Sequence, residues 1–504
     1  MKLSSYVILF SFLFVSALNA KTFYVSTTGN DTLPGIFDQP FKTITKALGS
    51  SIVAGDSIIV RGGVYTLTAT ITINTNISGK QDTLCHLYAY PGERPLLDFS
   101  GQGLGSRGIQ VKASFWHIRG FDIKAAGDNG IYITGAFNIV ENCSMSENKD
   151  SGMQLSGGAN NNKIINCDSF YNQDPSEGNS DGFSPKLDVG TNNYFYGCRS
   201  WQNTDDGFDG YLRPSNNVTT TLDNCWTFMN GYHKDGTISG PGNGNGFKMG
   251  GSDTKLLEHN FILYNCLSFD NKSKGFDQNS NKGSITLINC TGYRNTGKNY
   301  SVILALDSGK VLTVTNCLVY GPMGTLVLAV LTTNSWMLPD SVMSSDFVSL
   351  DTSGVRGPRK PDGSLPDVNF MHLTHGTHLV NSGTIIPGRP YNGKAPDLGC
   401  FETDDTLTAL KNEVIHKVGY YLSNNYPNPF NPSTQIAYQV PVSGHVTLTV
   451  YNALGKGIVT LVNEEKIAGS YYINFNARNL ASGIYFYNLK TDNYSQTKKM
   501  ILLK

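Results

Sequence analysis

The 504-residue sequence predicts an all-β protein, a parallel β-helix followed by a small β-sandwich, and three observations support this fold class. Gly, Tyr and Phe are abundant, at 54, 26 and 25 copies, while only 15% of the residues are charged. Such a composition is typical of short strands joined by many turns. A repeat centred on Cys fills the middle of the chain. The C-terminal part instead alternates apolar and polar side chains over longer runs, as antiparallel strands do.

The charge balance restricts the partners of the protein. Lys plus Arg and Asp plus Glu number 39 each, so the formal net charge is zero. A protein that binds nucleic acid, or that basic charge holds on a membrane, needs an excess of Lys and Arg. We therefore expect no nucleic-acid partner and no membrane attachment through basic charge. After the first 20 residues no segment is apolar enough to span a bilayer, so no membrane span is expected in the mature protein. We also expect a monomer.

Residues 1–20 are predicted to form a signal peptide. Lys2 provides the positive start, residues 6–15 are apolar, and small residues lead to Ala20, with Ala17 as a second candidate cleavage site. The apolar run is too short to span a bilayer comfortably, which favours cleavage over a membrane anchor.

The Cys-centred repeat indicates stacked coils. Seven Cys residues lie 24 to 41 positions apart. Six of the seven follow an Asn, six have an aromatic residue three positions later, and six have an Asn five positions later. The seven are Cys143, Cys167, Cys198, Cys225, Cys266, Cys290 and Cys317. Each coil of a parallel β-helix stacks on the last and buries an inward column. Small thiols suit such a column, so we expect free stacked thiols rather than disulfides or a metal site.

Flanking elements complete the predicted β-helix domain, residues 21–402. A strand is expected at 23–26, a short helix at 42–48 that caps the open end of the coils, and a strand at 56–60. Residues 396–402 are predicted to be the last β-helix strand.

The C-terminal region, residues 425–504, follows a predicted linker over 403–424. It opens with three prolines in six positions and continues with alternating strands. Its stretches YPNPFNPST, VYNALG and LASGIYFYNL, with the basic end from Lys498, resemble the type A C-terminal sorting domain of the type IX secretion system. The resemblance implies recognition by the type IX machinery and export through the periplasm and outer membrane to the cell surface or the medium. A carbohydrate-binding module is the alternative.

A Gly-aromatic pair, or Gly-Met in one coil, sets the register between coils. The pairs are Gly152-Met153, Gly182-Phe183, Gly207-Phe208, Gly246-Phe247 and Gly275-Phe276. If the large apolar residue points inward, the residue after it points outward, and adjacent coils lie about 4.8 Å apart. This register groups four acids on the exterior: Asp181, Asp205, Asp206 and Asp209. Two coils carry longer loops at this edge, where repeat proteins often build a binding face.

The four acids predict a cation site. Like charges this close repel one another unless they bind a cation or share protons. An all-oxygen cluster fits Ca²⁺ better than Mg²⁺. Lys248 should lie beside Asp209, and a bound cation would lower the pKa of its ammonium, so that it can act as a general base. An ordinary solvated acidic turn and a surface ion pair are the alternatives.

A metal and a neutral lysine suit β-elimination in a uronic-acid polymer. The proton on C5 is α to a carboxylate, and a cation at that carboxylate stabilises the charge that develops when the proton leaves. Lys248 would remove this proton, and the bond to the O4 leaving group would break.

At these residues the chain resembles polysaccharide lyase family 9, a pectate-lyase group with a right-handed parallel β-helix. The likeness spans residues 21–402 and is clearest in SDGF, TDDGFD, GNGFK and KGFDQN. It implies that Asp181, Asp205, Asp206 and Asp209 bind Ca²⁺ and that Lys248 is the base. The implied substrate is an acidic plant polysaccharide, pectate or rhamnogalacturonan. Weaker candidates for substrate contacts are Lys186, Tyr211 and Arg213.

Two other functions remain open from sequence alone. A pectin hydrolase could use Asp205 and Asp206 as acid and base without calcium or Lys248. A non-catalytic glycan-binding surface protein could use calcium only to stabilise its coils. The grouping of long loops, acids and a lysine at one edge favours the lyase.

Overall fold

The computed structural model describes residues 20–403, 421–423, 425, 428–440, 444–466, 469–491 and 494–503. These residues form two compact units, one up to residue 403 and one from residue 421. The predicted signal peptide up to residue 19 and most of the predicted linker lie outside the described residues.

The first unit is a right-handed parallel β-helix of three sheets, and each complete coil contributes one strand to each sheet in turn. The first sheet has 12 strands: Thr22–Val25, Ser57–Val60, Cys85–Ala89, Trp116–Arg119, Ile139–Glu141, Lys163–Ile165, Asn193–Tyr196, Val218–Asp223, His259–Tyr264, Ile285–Ile288, Leu312–Thr315 and Ala329–Thr332. The second sheet has 10: Gly63–Thr66, Pro95–Asp98, Asp122–Lys124, Ser144–Ser146, Asp168–Phe170, Arg199–Trp201, Trp226–Phe228, Leu267–Phe269, Thr291–Tyr293 and Leu318–Tyr320. The third also has 10: Ile71–Ile73, Ile109–Val111, Ile131–Ile133, Met153–Leu155, Phe183–Pro185, Phe208–Asp209, Phe247–Lys248, Phe276–Asp277, Tyr300–Val302 and Gly324–Leu326.

The bend between the first and second sheets explains the Asn-Cys repeat. The residue before each repeated Cys has a positive φ, for example 53° at Asn166 and 55° at Asn224, and Gly197 takes this position before Cys198. Asn and Gly tolerate this left-handed conformation better than other residues do. The Cys that follows points inward, and all nine Cys residues are buried and free, as expected.

The Asn five residues after six of the seven repeated Cys residues, together with Asn299, builds a second internal column, the Asn ladder. Its members are Asn148, Asn172, Asn203, Asn230, Asn271, Asn295 and Asn299. Each side-chain amide donates to the carbonyl oxygen of the next member, for example Asn172 to Asn203 at 2.7 Å. From Asn148 to Asn295 the ladder therefore satisfies buried side-chain amides at the turns from the second to the third sheet.

Aromatic rings stack beneath the third sheet. Centroids of Phe183 and Phe208 lie 4.9 Å apart, those of Phe208 and Phe247 5.4 Å, and those of Phe247 and Phe276 5.1 Å. The register pairs these residues strand by strand. The aromatic residue of each Gly-aromatic pair thus points inward, and its successor points outward.

The helix at the N-terminal end spans Ile44–Leu48, because Thr43 is its N-cap and accepts a hydrogen bond from the Lys46 amide. Its buried face packs against the first coils. Three short 3₁₀ helices cover Thr75–Ile77, Ser335–Met337 and Ser344–Asp346.

The prediction of a last strand at 396–402 is wrong. This segment has no strand pairing and instead lies over the second sheet, where Leu398 and Cys400 join the cluster around Trp226. The Asn289 side chain donates to the carbonyl groups of Asp397 and Gly399, which replaces strand pairing.

The second unit is a small sandwich of two antiparallel sheets. One holds Tyr421–Leu422, Ser433–Val440 and Gly469–Asn476, and the other holds Gly457–Lys466, Gly444–Asn452, Gly483–Thr491 and Tyr494–Leu502. Both sheets contribute to one core, which includes Ile436, Leu448 and Tyr487.

Candidate active site

The predicted site lies on the outer face of the third sheet. Asp209 pairs in register with Lys248, and Lys248 with Asp277. Asp181 and Asp206 directly precede the Gly-aromatic pairs of their coils, at the edge where the chain enters the sheet.

Three of the four predicted acids meet at one point. Asp181, Asp206 and Asp209 each offer a carboxylate oxygen, and these three oxygens lie within 4.8 Å of one another. Asp205 is also buried, at 3% exposed, but its carboxylate does not belong to this group of three. Its Oδ1 accepts a hydrogen bond of 2.5 Å from the Asn243 amide.

Protein donors fix the orientation of each carboxylate. Asp181 Oδ1 accepts from the Asp206 amide at 3.1 Å, and its Oδ2 accepts from Ser184 Oγ at 2.8 Å. Asp206 Oδ1 accepts from the amide and side chain of Asn245, at 2.7 and 2.9 Å. The Tyr211 amide donates to Asp209 Oδ1. The acids are therefore held in place by the chain itself.

Two lysines are ion-paired within this acidic group. Lys248 Nζ lies 3.0 Å from Asp206 Oδ2 and 3.3 Å from Asp209 Oδ1. Lys186 Nζ lies 2.7 Å from Asp181 Oδ2 and 3.6 Å from Asp209 Oδ2. Lys248 thus stands beside the acids, as the register predicted.

The predicted exposure of the four acids and Lys248 on the exterior is wrong, because each acid is at most 4% exposed and Lys248 is only 7% exposed. Its Nζ also lies 5.7 Å from the centroid of the Tyr211 ring. Lys248 therefore sits at the floor of a recess rather than on an open face.

Burial and repulsion raise the pKa of three of the four acids, and for Asp181 burial is the main cause. Burial, with repulsion from Asp206 and Asp181, raises the pKa of Asp205 to about 9. Burial also raises the pKa of Asp206 to about 7, against the opposing effect of Lys248. Both carboxyl groups would ionise more readily beside a positive charge.

The lysines show the opposite balance. Burial alone would lower the pKa of Lys248, but the four aspartates outweigh it and raise that pKa well above its ordinary value. This direction is contrary to the lowering expected beside a bound cation, because the charges that face the ammonium here are negative. Burial would raise the pKa of Asp209, yet Lys248 and Lys186 together hold it below its usual range.

The weaker predicted contacts have partners of their own. Lys186 is 3% exposed and bound to acids, so it is not placed as an open substrate ligand. Arg213 donates to both oxygens of Asp253, at 2.5 and 2.6 Å, and Tyr211 Oη donates to the same carboxylate at 2.6 Å. The sequence reasoning missed Asp253, which belongs to an irregular loop with no repeat position.

Loops wall the site on both sides. The segments 171–182 and 229–246 enter the third sheet from the second, and they are tied together where Glu177 accepts from the Gly240 amide. Lys272 Nζ donates to three carbonyl groups of this wall, those of Ser239, Gly240 and Gly242. On the opposite side, Tyr211 and Arg213 meet Asp253. The recess therefore lies in a channel that follows the stacking axis of the coils.

The donor set fits a hard divalent cation. Three buried carboxylates converge, and hard cations prefer such oxygen ligands. Asp206 Oδ2 is buried and accepts no hydrogen bond. Its contact with Lys248 Nζ has the distance of an ion pair but not the geometry of a hydrogen bond. With all carboxylates ionised, four aspartates and two lysines carry a charge of −2, which matches one divalent ion.

Comparison with known proteins places the chain in a family. A family model described as "Pel9A-like, right handed beta helix region" matches residues 23–313. The chain belongs to the Pel9A-like β-helix family. Pectate lyase L of Dickeya dadantii (strain 3937) is 36% identical over 393 residues, which cover 76% of this chain and 90% of that protein.

Solved structures support the same membership in the Pel9A-like family. The crystal structure of pectate lyase Pel9A matches with a TM-score of 0.71 and 35% identity, over 76% of this chain and 96% of that one. A structure titled "Rhamnogalacturonan lyase" matches with a TM-score of 0.61 and 27% identity, over 71% and 97%. This Pel9A-like protein is a polysaccharide lyase, so the hydrolase and the non-catalytic alternatives are disfavoured.

The C-terminal unit has its own match. A model described as "Secretion system C-terminal sorting domain" covers residues 424–503, which confirms the predicted resemblance. The protein is exported to the cell surface or beyond it. Among the described residues, no helix is both long and apolar enough to cross a membrane.

Proposed function

We propose that the protein is a calcium-dependent pectate lyase that cleaves homogalacturonan by β-elimination, with Lys248 as the base. The observation that carries the proposal is the placement of Lys248 Nζ 3.0 Å from Asp206 and 3.3 Å from Asp209. The names of the pectate lyase relatives support the substrate class.

The bond changes are those of an elimination. Lys248 Nζ takes the C5 proton, the C5–H electron pair forms the C4=C5 double bond, and the C4–O4 bond breaks with its pair on O4. The leaving oxygen then takes up a proton to become a hydroxyl group. Calcium, when bound, would hold the substrate carboxylate and stabilise the charge that develops on it.

The aspartates supply the cation ligands in this proposal. Asp181, Asp206 and Asp209 offer the three converging oxygens, and Asp205, one residue before Asp206, completes the predicted set. Once Asp206 and Asp209 serve as ligands, less of their negative charge acts on Lys248. A neutral amine at this position can then accept the proton.

The test uses the full protein with polygalacturonate and, separately, with rhamnogalacturonan, each with calcium and with excess chelator. We expect near-ultraviolet absorbance from the conjugated product with polygalacturonate and calcium only. Product with rhamnogalacturonan alone would select that polymer instead, in line with the rhamnogalacturonan lyase structure.

The role of Lys248 has a separate test. Lys248→Ala should abolish turnover while polymer binding survives, because the amine acts on the proton and not on the polymer as a whole. Lys360→Ala is the control, since Lys360 is paired with Asp367 at the cover of the second sheet. Turnover by Lys248→Ala would refute the assignment of the base.

A further inference from the structure

We propose that Arg107 and Tyr132 form a distal binding site for the uronate chain, on the same face as Lys248 but several coils toward the N-terminus. This inference rests on the proposed function and adds a subsite to it. No motif in the sequence analysis pointed to either residue.

The position of Tyr132 places it on the path of a polymer. Tyr132 pairs in register with Gln154 on the next strand, and Gln154 pairs with Ser184. All three residues lie in the outward column of the third sheet. The same column continues to Asp209 and Lys248. Four strand spacings separate Tyr132 from Lys248, about 19 Å.

The walls of the channel give the polymer its direction. Loops rise on both sides of the strands that carry Ser184, Asp209 and Lys248, so a chain in the recess must leave along the stacking axis. The connections 125–130 and 147–152, beside the strands of Tyr132 and Gln154, are shorter than the wall segments 171–182 and 229–246. The channel therefore opens toward Tyr132.

Arg107 is prepared to bind a carboxylate. Its guanidinium carbon lies 3.4 Å from the centroid of the Tyr132 ring, and a guanidinium stacked in this way keeps its N–H groups at the edge available. Among the described contacts, the Arg107 side chain donates no hydrogen bond, and its side chain is 31% exposed. The nearest acid is Asp128, 3.8 Å from Nε, which leaves both Nη atoms for a ligand.

Arg213 provides the contrast within the same channel. Its guanidinium is already bound to both oxygens of Asp253. Of these two arginines, only Arg107 offers free donors. A bidentate arginine-carboxylate contact matches a galacturonate unit and would make the enzyme bind long chains more tightly than short ones.

The test compares substrate lengths. Arg107→Ala and Tyr132→Ala should raise the KM for a galacturonate octamer or the polymer by about tenfold, the loss expected for one charge-assisted contact, with kcat unchanged. The KM for the trimer, which is too short to reach from Lys248, should not change. Arg119→Ala is the matched control, because Arg119 stacks on Tyr88 in the first sheet, on another face.

Three results would overturn the proposal: an unchanged KM for the octamer, an equal rise for the trimer, or the same loss in Arg119→Ala. Thermal unfolding of each variant shows whether its fold is intact, and Arg107→Lys, which keeps the charge but loses the planar fork, should give a partial loss. If the wild-type protein yields no unsaturated product from any uronate polymer, the proposed function fails. In that case the subsite is tested by binding alone. In gels that contain polygalacturonate, the Arg107→Ala variant should be retarded less than the wild type.

Discussion

Lys186 Nζ lies 2.7 Å from Asp181 Oδ2, and both side chains are buried. The same ammonium lies 3.6 Å from Asp209 and donates to Asn179 Oδ1 at 3.1 Å. Burial alone would lower the pKa of Lys186, but Asp181, Asp209 and Asp150 raise it above its ordinary value. Lys186 is therefore an internal counter-ion of the acids, and its ammonium holds Asp181 Oδ2 in place.

Removal of this counter-ion should have two separable effects. Lys186→Met leaves buried carboxylates unpaired, so the protein in chelator should lose about 3 kcal/mol of unfolding free energy. The greater negative charge should also strengthen calcium binding. Calorimetric titration with calcium and chemical unfolding, each compared with Lys360→Met, measure the two effects. Unchanged stability in chelator would contradict the counter-ion role.

The periodic part of the site was predictable from sequence, and the irregular part was not. Asp209 and Lys248 could be paired because each follows an inward aromatic residue, and strand alternation then fixes their side. The recess around Lys248 depends on Tyr211 and on loops that have no repeat, so its burial was missed. Asp253 and Arg107 also lie in connections whose contacts depend on tertiary structure alone. The segment 396–402 was predicted to be a strand, but its apolar residues Leu398 and Cys400 are buried against the second sheet without strand pairing.

The Asn ladder should be a major source of stability in the coils. Asn203 Oδ1 accepts from the Asn172 side chain at 2.7 Å, and its amide donates to Asn230 Oδ1 at 2.9 Å. Asn203→Ala removes both bonds and also leaves the buried Asn172 backbone amide, which donates to the same Oδ1 at 3.2 Å, without its acceptor. The substitution should therefore cost about 3 kcal/mol. Urea unfolding followed by Trp fluorescence measures the loss, since every Trp lies in the β-helix: Trp116, Trp201, Trp226 and Trp336. Asn74→Ala is the control, because Asn74 is exposed and its side chain makes no cap hydrogen bond, so its loss should cost little. An equal loss of stability in both variants would argue against the role of the ladder.

The cysteine column should protect its thiols in an exported protein. Eight of the nine buried Sγ atoms donate to one or two backbone carbonyl groups, as Cys167 does to Ile165 at 3.4 Å and to Val140 at 3.6 Å. Iodoacetamide should therefore leave the native protein unmodified, whereas unfolding without a reductant should expose nine reactive thiols. Intact mass before and after unfolding counts the adducts. Fewer than nine adducts on the unfolded chain would reveal a disulfide.

Acid should destabilise the β-helix through His259, which lies fully buried beneath the site. Its Nδ1 donates to the Gly210 carbonyl at 2.8 Å, so its Nε2 accepts from Thr220 Oγ1, also at 2.8 Å. Burial lowers the pKa of His259 to about 4, although Asp209 opposes this shift.

The sign of the pH effect follows from this depressed pKa. Between pH of about 6.5 and 4, the unfolded chain holds a proton on this residue and the folded chain does not, so stability falls as the pH falls and levels off below 4. The full effect is about 3 kcal/mol. His259→Gln should be less stable than the wild type at neutral pH, and the difference should shrink as the pH falls to 5. Urea unfolding by Trp fluorescence at both pH values, in one buffer and with chelator, isolates this term because the acids titrate alike in both proteins. His445→Gln, at an exposed position in the C-terminal sandwich, is the control, and its stability difference from the wild type should not change with pH. A constant difference between His259→Gln and the wild type from neutral pH to pH of about 5 would contradict a neutral buried His259.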